Sequence, residues 1–312
     1  MAGGTHIGPG ALFGLASGFS WGAGDFAGGL IGRYSSAMLA VFASYGIGVV
    51  GTLVLLAISA EPAPALASLL WAAAAGASGL IGVGCFYYAL SRGTMGVVAP
   101  LAALIGAGVP VLFDLYLGGA LPELRLVGMV VALVAVVLIS LPSGERTVDD
   151  QRRHRIDLAE LPFVITSGLG FAFFFLFIDQ ASAGGAVWWP LATVRVVGFA
   201  MVVVFGLALM LRAQGSWRDR SAHVLGLPRL HARNPGRAAS LAVLLTAGLG
   251  DLGGNVFFVL ATQSGDFAVA VVLSALYPVV TTILAAIFLR ERLSPVQMIG
   301  VALATFSVIL LR

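Results

Sequence analysis

Apolar residues run along this 312-residue chain in long blocks, cut by short polar or proline-bearing breaks. A helix needs about 20 mostly apolar residues to cross ~30 Å of hydrocarbon. Ten blocks suit that role: Gly10–Ile31, Met38–Ile58, Ser68–Ser91, Thr94–Leu117, Leu124–Leu141, Leu161–Ile178, Trp188–Leu211, Leu241–Thr262, Phe267–Leu289 and Val296–Leu311. Each is predicted to be helical, because lipid offers no partner to bare backbone and no alternating strand pattern occurs. Glu61, Pro62 and Pro64 separate the second and third blocks, Arg92-Gly93 the third and fourth, and Pro122-Glu123 precedes the fifth. The longest polar stretches are Ser143–Glu160 and Arg212–Arg237. The first lies at the chain midpoint and reads as a charged linker, 143–160, between halves 1–142 and 161–312.

Composition narrows the class. Hydrophobic residues make up 59% and charged residues 10%, where soluble domains carry roughly 25% charged. So few charges would not cover a soluble surface, and disorder requires low hydrophobicity. An all-α integral membrane protein is the expectation. The net charge is +3 and all seventeen basic residues are Arg. They form no continuous stripe, so nucleic acid is not an expected partner; the lipid bilayer is. Cys85 is the single cysteine and has no internal disulfide partner. No basic residue precedes Arg33, so the positive n-region of a secretory signal is absent.

Arginine placement predicts orientation. Fourteen Arg lie in loops that follow odd-numbered spans, while Arg125 and Arg312 lie in even loops or tails. That imbalance places the odd loops in the cytoplasm and both termini outside a cytoplasmic (inner) membrane.

The halves repeat. Shifting the chain by 172 residues superposes Ala75–Leu138 on Ala247–Leu310 without a gap, with 18 identities in 64 positions. Composition bias alone produces some of these; the coincident polar breaks and the pairs Gly76/Gly248, Gly82/Gly254 and Gly128/Gly300 carry more weight. The unit holds five helices, an odd number, so the second copy enters the membrane from the opposite side. Inverted repeats are the architecture of secondary transporters, with the binding site near the midplane between the copies.

The stretch Phe267–Leu311, with Leu276, Pro278, Leu289, Glu291, Gln297 and Gly300, resembles the closing part of the EamA domain of the drug/metabolite transporter superfamily. Phe86-Tyr87-Tyr88-Ala89-Leu90 resembles the end of its third helix and Trp21-Gly22 its first-helix motif. The first copy departs at Gly119, opposite Glu291, and at Gly106, opposite Pro278. The resemblance implies ten transmembrane helices around a central cavity lined by spans one, three, four, six, eight and nine. It also implies movement of small solutes by alternating access, and both termini in the cytoplasm, contrary to the Arg count.

An ionisable group inside the bilayer costs roughly 2.5–3.5 kcal/mol on insertion scales, so each calls for a reason. Asp25, Asp114, Asp179, Arg195 and Asp251 are the candidates, and no His falls in a span. Asp25 and Asp251 share a local pattern, Gly22-Ala23-Gly24-Asp25 and Gly248-Leu249-Gly250-Asp251. The glycines allow close helix approach and bare the backbone. A carboxyl there suits a solute or a coupling proton; the alternative is a helix-packing hydrogen bond. Asn255 follows Asp251 by one turn on the same face. Arg195 is read as counter-ion to Asp25 or Asp251 or as anchor for a substrate carboxylate, against snorkelling to the interface. Asp114 and Asp179, near span ends, read as interfacial, and Trp188-Trp189 as an interfacial belt. Trp21, Tyr88 and Tyr277 are candidate cavity walls. Pro278 removes a backbone donor from the ninth span and reads as a gating hinge or a static kink.

Three membrane Asp against one Arg favour a cationic or zwitterionic solute, or a carried proton. The expected cargo is a small organic metabolite: amino-acid-like, an amine or drug-like. A passive facilitator of the same fold is the alternative. Enzymatic readings are weaker. The two Gly-x-Gly-Asp sequences resemble the motif of intramembrane aspartyl proteases, but Phe113 and Ile178 stand where a Tyr should precede the partner Asp, and Pro64-Ala65-Leu66 falls in an early loop. Gly76-Ala77-Ser78-Gly79 mimics a rhomboid serine motif without any intramembrane His as base. No metal, nucleotide or redox cofactor is expected.

Overall fold

The computed structural model describes residues 8–34, 36–92, 95–118, 122–141, 161–212, 219, 237–290 and 292–311. The expected linker 143–160 and all four His lie outside these described residues. The helices are α1 (Pro9–Tyr34), α2 (Ala37–Ser59), α3 (Leu66–Arg92), α4 (Met95–Tyr116), α5 (Glu123–Ser140), α6 (Leu161–Ser182), α7 (Trp188–Arg212), α8 (Arg237–Ser264), α9 (Phe267–Ser274), α10 (Tyr277–Phe288) and α11 (Pro295–Leu311). Every expected span is helical, and the ninth comes as two rods, α9 and α10. Among the described residues seven helical stretches are long and apolar enough to cross a membrane by length and composition. The described apolar stretch of α4 and all of α11 are shorter, and α1 carries eight glycines in 26 residues.

Local chemistry sets the ends. Ser36 Oγ accepts the Leu39 N–H at 3.1 Å and caps α2. At its far end Ala60 adopts φ 49°, and Pro62 and Pro64 prevent continuation. The ninth span breaks because Pro278 lacks an N–H for the Ser274 carbonyl. Leu276 turns tightly onto the Leu273 carbonyl at 3.3 Å, and the helix restarts with Pro278 in its first turn, where a missing donor is harmless.

Ser294 and Gln297 form a reciprocal capping box at α11: Gln297 N–H donates to Ser294 Oγ at 3.2 Å and Ser294 N–H to Gln297 Oε1 at 3.1 Å. Gln297 Nε2 then donates to the Ile139 and Leu141 carbonyls at 3.2 and 2.9 Å. One side chain thus caps the start of α11 and the end of α5 in the other half. Gln297→Ala is expected to lower stability by about 2 kcal/mol, since it removes a cap and orphans buried carbonyls. Thermal unfolding of purified protein measures this.

The helix pairings reproduce the repeat. α1 lies along α8 and α3 along α6; α5 pairs with α11; α4 packs on α6 as α9 and α10 pack on α1; α3 meets α7 as α2 meets α8; α2 and α7 meet each other. Exchanging each span with its counterpart five places away returns the same pairings, which is how two inverted five-helix repeats interlock.

Glycines make the two principal crossings. A Cβ on Gly250 would lie 2.7 Å from the Gly24 backbone and 2.8 Å from the Ser20 carbonyl; one on Gly170 would lie 2.6 Å from the Gly82 backbone and 2.8 Å from the Ser78 carbonyl. A second ladder, Gly10, Gly14, Gly18 and Gly22, repeats every four residues; Gly10 meets Gly265 just past the end of α8, and Gly14, Gly18 and Gly22 lie along the ninth span. It covers the break itself: a Cβ on Gly18 would sit 2.9 Å from the Leu273 carbonyl and one on Gly22 2.7 Å from that of Tyr277.

Candidate functional site

Four helices from both halves meet in a polar node. α8 supplies Asp251 and Asn255, α7 supplies Arg195, α2 supplies Ser44 and Tyr45, and α1 supplies Asp25. Arg195 Nη1 donates to Asp251 Oδ2 at 2.5 Å and Nη2 to the Asp251 carbonyl at 3.0 Å. Ser44 Oγ donates to the same Oδ2 at 2.9 Å. Asn255 Nδ2 donates to the Asp251 carbonyl at 2.6 Å and to Oδ1 at 3.2 Å. The Tyr45 ring lies against the guanidinium, its centroid 5.3 Å from Cζ.

This site needs small neighbours. A Cβ on Gly48 would stand 2.9 Å from Arg195 Cδ, and Gly198 leaves room for the Tyr45 ring. The side chain of Arg195 is 3% exposed and that of Asp251 29%. Arg195 therefore does not snorkel. Its Nε is buried against Gly48 without a hydrogen-bond partner.

Asp25 belongs to the same crossing. Gly24 abuts the Gly250–Asp251 backbone, and the Asp25 and Asp251 carboxylates are close enough for their charges to interact. Around α1, Asp25 points between the directions in which Gly24 meets α8 and Gly22 meets α10. Trp21, one turn earlier on that face, packs on Phe174, Phe175 and Phe258. Leu12 and Phe19 mark the outward face. An outward apolar groove of about 780 Å³, lined by Phe19, Leu249, Phe257 and Val280 among others, is thus separate from Asp25. Although Asp25 faces inward, it is exposed. One turn further, Gly28 and Gly29 have no atom within 4 Å of a built Cβ. Open space thus borders α1 one turn beyond Asp25. Among the described residues no hydrogen bond or ion pair engages its carboxylate.

The remaining candidates lie elsewhere. Tyr88 packs its ring 4.4 Å from that of Phe163, where α3 meets α6, apart from the node. Tyr277 opens α10 at the break, its carbonyl against Gly22 and accepting from Thr281 Oγ1 at 3.1 Å. Pro278 follows it. Asp179 lines a recess of about 450 Å³ with Ser182, Thr262 and Gln263. Asp114, near the end of α4, feels the charge of Asp266, which is itself ion-paired with Arg125 on α5.

Sequence reasoning missed Ser44 and Tyr45, whose signal was two adjacent polar residues within the second apolar block. It also missed Glu61, read only as a break. Its carboxylate accepts the Val187, Trp188 and Trp189 N–H groups at 2.7, 3.0 and 2.9 Å, and its carbonyl accepts Trp189 Nε1 at 3.0 Å. A carboxylate from the α2–α3 loop thus caps α7 of the other half. Trp189 is held by Glu61 as well as placed at a span start. Glu61→Gln keeps the size and loses the charge; it is expected to lower thermal stability by about 1 kcal/mol. Glu61→Ala is expected to cost more, about 2 kcal/mol, by orphaning three N–H groups. Parallel melts of the two variants give the order.

A family model described as the EamA-like transporter family matches residues 8–141 and 158–312. No curated protein matches the chain. Among solved structures, one crystal structure of a protein aligns over 98% of this chain and 98% of its own, with a TM-score of 0.72 and 16% identity. At that identity the likeness shows the fold alone.

Proposed function

The chain belongs to the EamA-like transporter family, and from that premise we propose that it carries a small organic metabolite across the membrane by alternating access. The proposed moving parts are halves 1–142 and 161–312, joined by 143–160. One observation carries the reading: the Asp251–Arg195 node draws on both halves, and the exposed, inward-facing Asp25 lies beside it. A site built from both halves changes its access when the halves rock, whereas a site within one half would ride with it.

In this reading Asp25 meets the cargo or a coupling proton, and Trp21 forms an aromatic wall. Asp251, Arg195 and Asn255 form the polar floor. Tyr277 and Pro278 stand at the broken ninth span, where two short rods rotate more easily than one continuous helix. Tyr88 would line the path only nearer the α3–α6 end. The cytoplasmic membrane is the proposed location, with the Arg distribution favouring odd loops inside.

Proteoliposomes loaded with one solute and diluted into labelled solute measure exchange. Saturable counterflow of amino acids or amines is expected, at least tenfold above empty vesicles; flux no greater than in empty vesicles across the panel would defeat the carrier reading. A proton-coupled carrier additionally accumulates solute when a pH gradient is imposed, and Asp25→Asn is expected to abolish that accumulation while leaving the protein folded. A passive facilitator equilibrates solute without accumulation.

A further inference from the structure

We propose that the cargo is an organic cation, an ammonium compound bound to the Asp25 carboxylate, and that the Asp251–Arg195 pair is a closed internal element that takes no substrate carboxylate. This deepens the carrier reading and rests on it.

The argument is one of charge and access. Among the described residues Arg195 is the one cation in the node, and it is closed off from the accessible space. Nη1 and Nη2 both bind Asp251, the Tyr45 ring covers a face, and Gly48 closes on Cδ and Nε. With 3% of its side chain accessible, it has no edge for the paired hydrogen bonds of a substrate carboxylate. Asp251 is neutralised by that guanidinium and solvated by Ser44 and Asn255. Asp25 has the opposite properties. It is exposed and inward-facing, engages no partner among the described residues, and borders open space at Gly28 and Gly29. The node's uncompensated charge is therefore negative and sits at the accessible position.

A carboxylate cargo would meet that charge with the one counter-charge among the described residues of the node, Arg195, sealed away. An ammonium cargo supplies the missing counter-ion. Trp21, on the same face one turn along, adds an aromatic surface for the carbon skeleton. A zwitterion would bring a second charge with no donor to receive it, so simple amines should outrank amino acids.

Thermal shift on the purified full-length protein tests this with shape-matched probes: ethylamine, choline and 2-phenylethylamine; propionate and 3-phenylpropionate; propanol and 2-phenylethanol. At least one ammonium probe is expected to raise the melting temperature while its carboxylate and alcohol counterparts do not. Asp25→Asn is expected to weaken that binding at least tenfold, and Asp25→Glu to retain it. The assignment is overturned if carboxylates or alcohols stabilise equally, if no ammonium probe acts, or if Asp25→Asn binds as well as the parent. Stabilisation by acid alone, lost in Asp25→Asn without any ammonium effect, would instead assign the site to a proton. Flux is read separately in proteoliposomes. Ammonium binding without flux defeats the carrier reading and leaves the charge assignment standing; carboxylate flux unaffected by Asp25→Asn does the reverse.

Discussion

Replacing Asp251 by Leu is expected to damage the fold more than replacing Arg195 by Leu, and both are expected to be severe. Removing one partner of a buried ion pair costs about 3–5 kcal/mol, because the other charge is left without compensation. The two partners differ in burial. Asp251→Leu strands an Arg195 that is 3% exposed, so the upper part of that range applies. Arg195→Leu strands Asp251, which keeps 29% exposure together with donors from Ser44 and Asn255, so a loss near 3 kcal/mol is expected. The double variant should recover part of the loss, since an apolar pair of similar volume leaves no charge in the protein interior. Yields of monodisperse protein and melts of the four species form a double-mutant cycle. Single losses that simply add in the double variant would mean that the two side chains do not interact as described.

The second large effect concerns a single methyl group. Gly250→Ala would place a Cβ within 2.8 Å of three backbone atoms of α1, and Gly170→Ala would do the same where α3 crosses α6. Backbone cannot rotate aside as a side chain does, so the helices must separate. Overpacking typically costs 1–3 kcal/mol. Here about 3 kcal/mol or more is expected, because the displaced crossing also carries the Ser20 hydrogen bond to the Gly250 carbonyl at 2.8 Å. Gly84 and Gly108 are the controls, with no atom within 4 Å of a built Cβ. Alanine there should be neutral or stabilising by up to about 1 kcal/mol through helix propensity. Melting temperatures that fall equally for all four substitutions would show that helix–helix contact is not what these glycines provide.

The glycines also explain how unevenly the chain could be read. Two of the close contacts, at Gly24 and Gly250, lay in the pattern noticed because it flanks Asp25 and Asp251. The ladder Gly10, Gly14, Gly18 and Gly22 was equally visible as a four-residue period, yet its partners were not: nothing local says that Gly18 and Gly22 face a break in the ninth span. Pro278 marked the position of that break correctly, but a proline is compatible with a kink as well as with two separate rods. The two-turn α9, ending at Ser274, is what made the interruption complete. Arg195 could be read as counter-ion, substrate anchor or snorkelling chain. Only its burial and its two bonds to Asp251 separate these. Tyr88, a candidate cavity wall, packs its ring at a tilt beside that of Phe163.

What the amino-acid order determined alone was the solvent, the number of spans, the five-span duplication and its inversion. Each follows from properties summed within one segment or from counting: hydropathy depends on a segment's own residues, and an odd number of crossings reverses the next copy whatever the packing. Tertiary structure decided which charges meet. Asp25, Ser44, Arg195 and Asp251 span more than two hundred positions, and their meeting depends on where helices cross and how closely they approach. Those distances are set by backbone lying against backbone at a few glycines, a property of pairs of helices that no single helix carries.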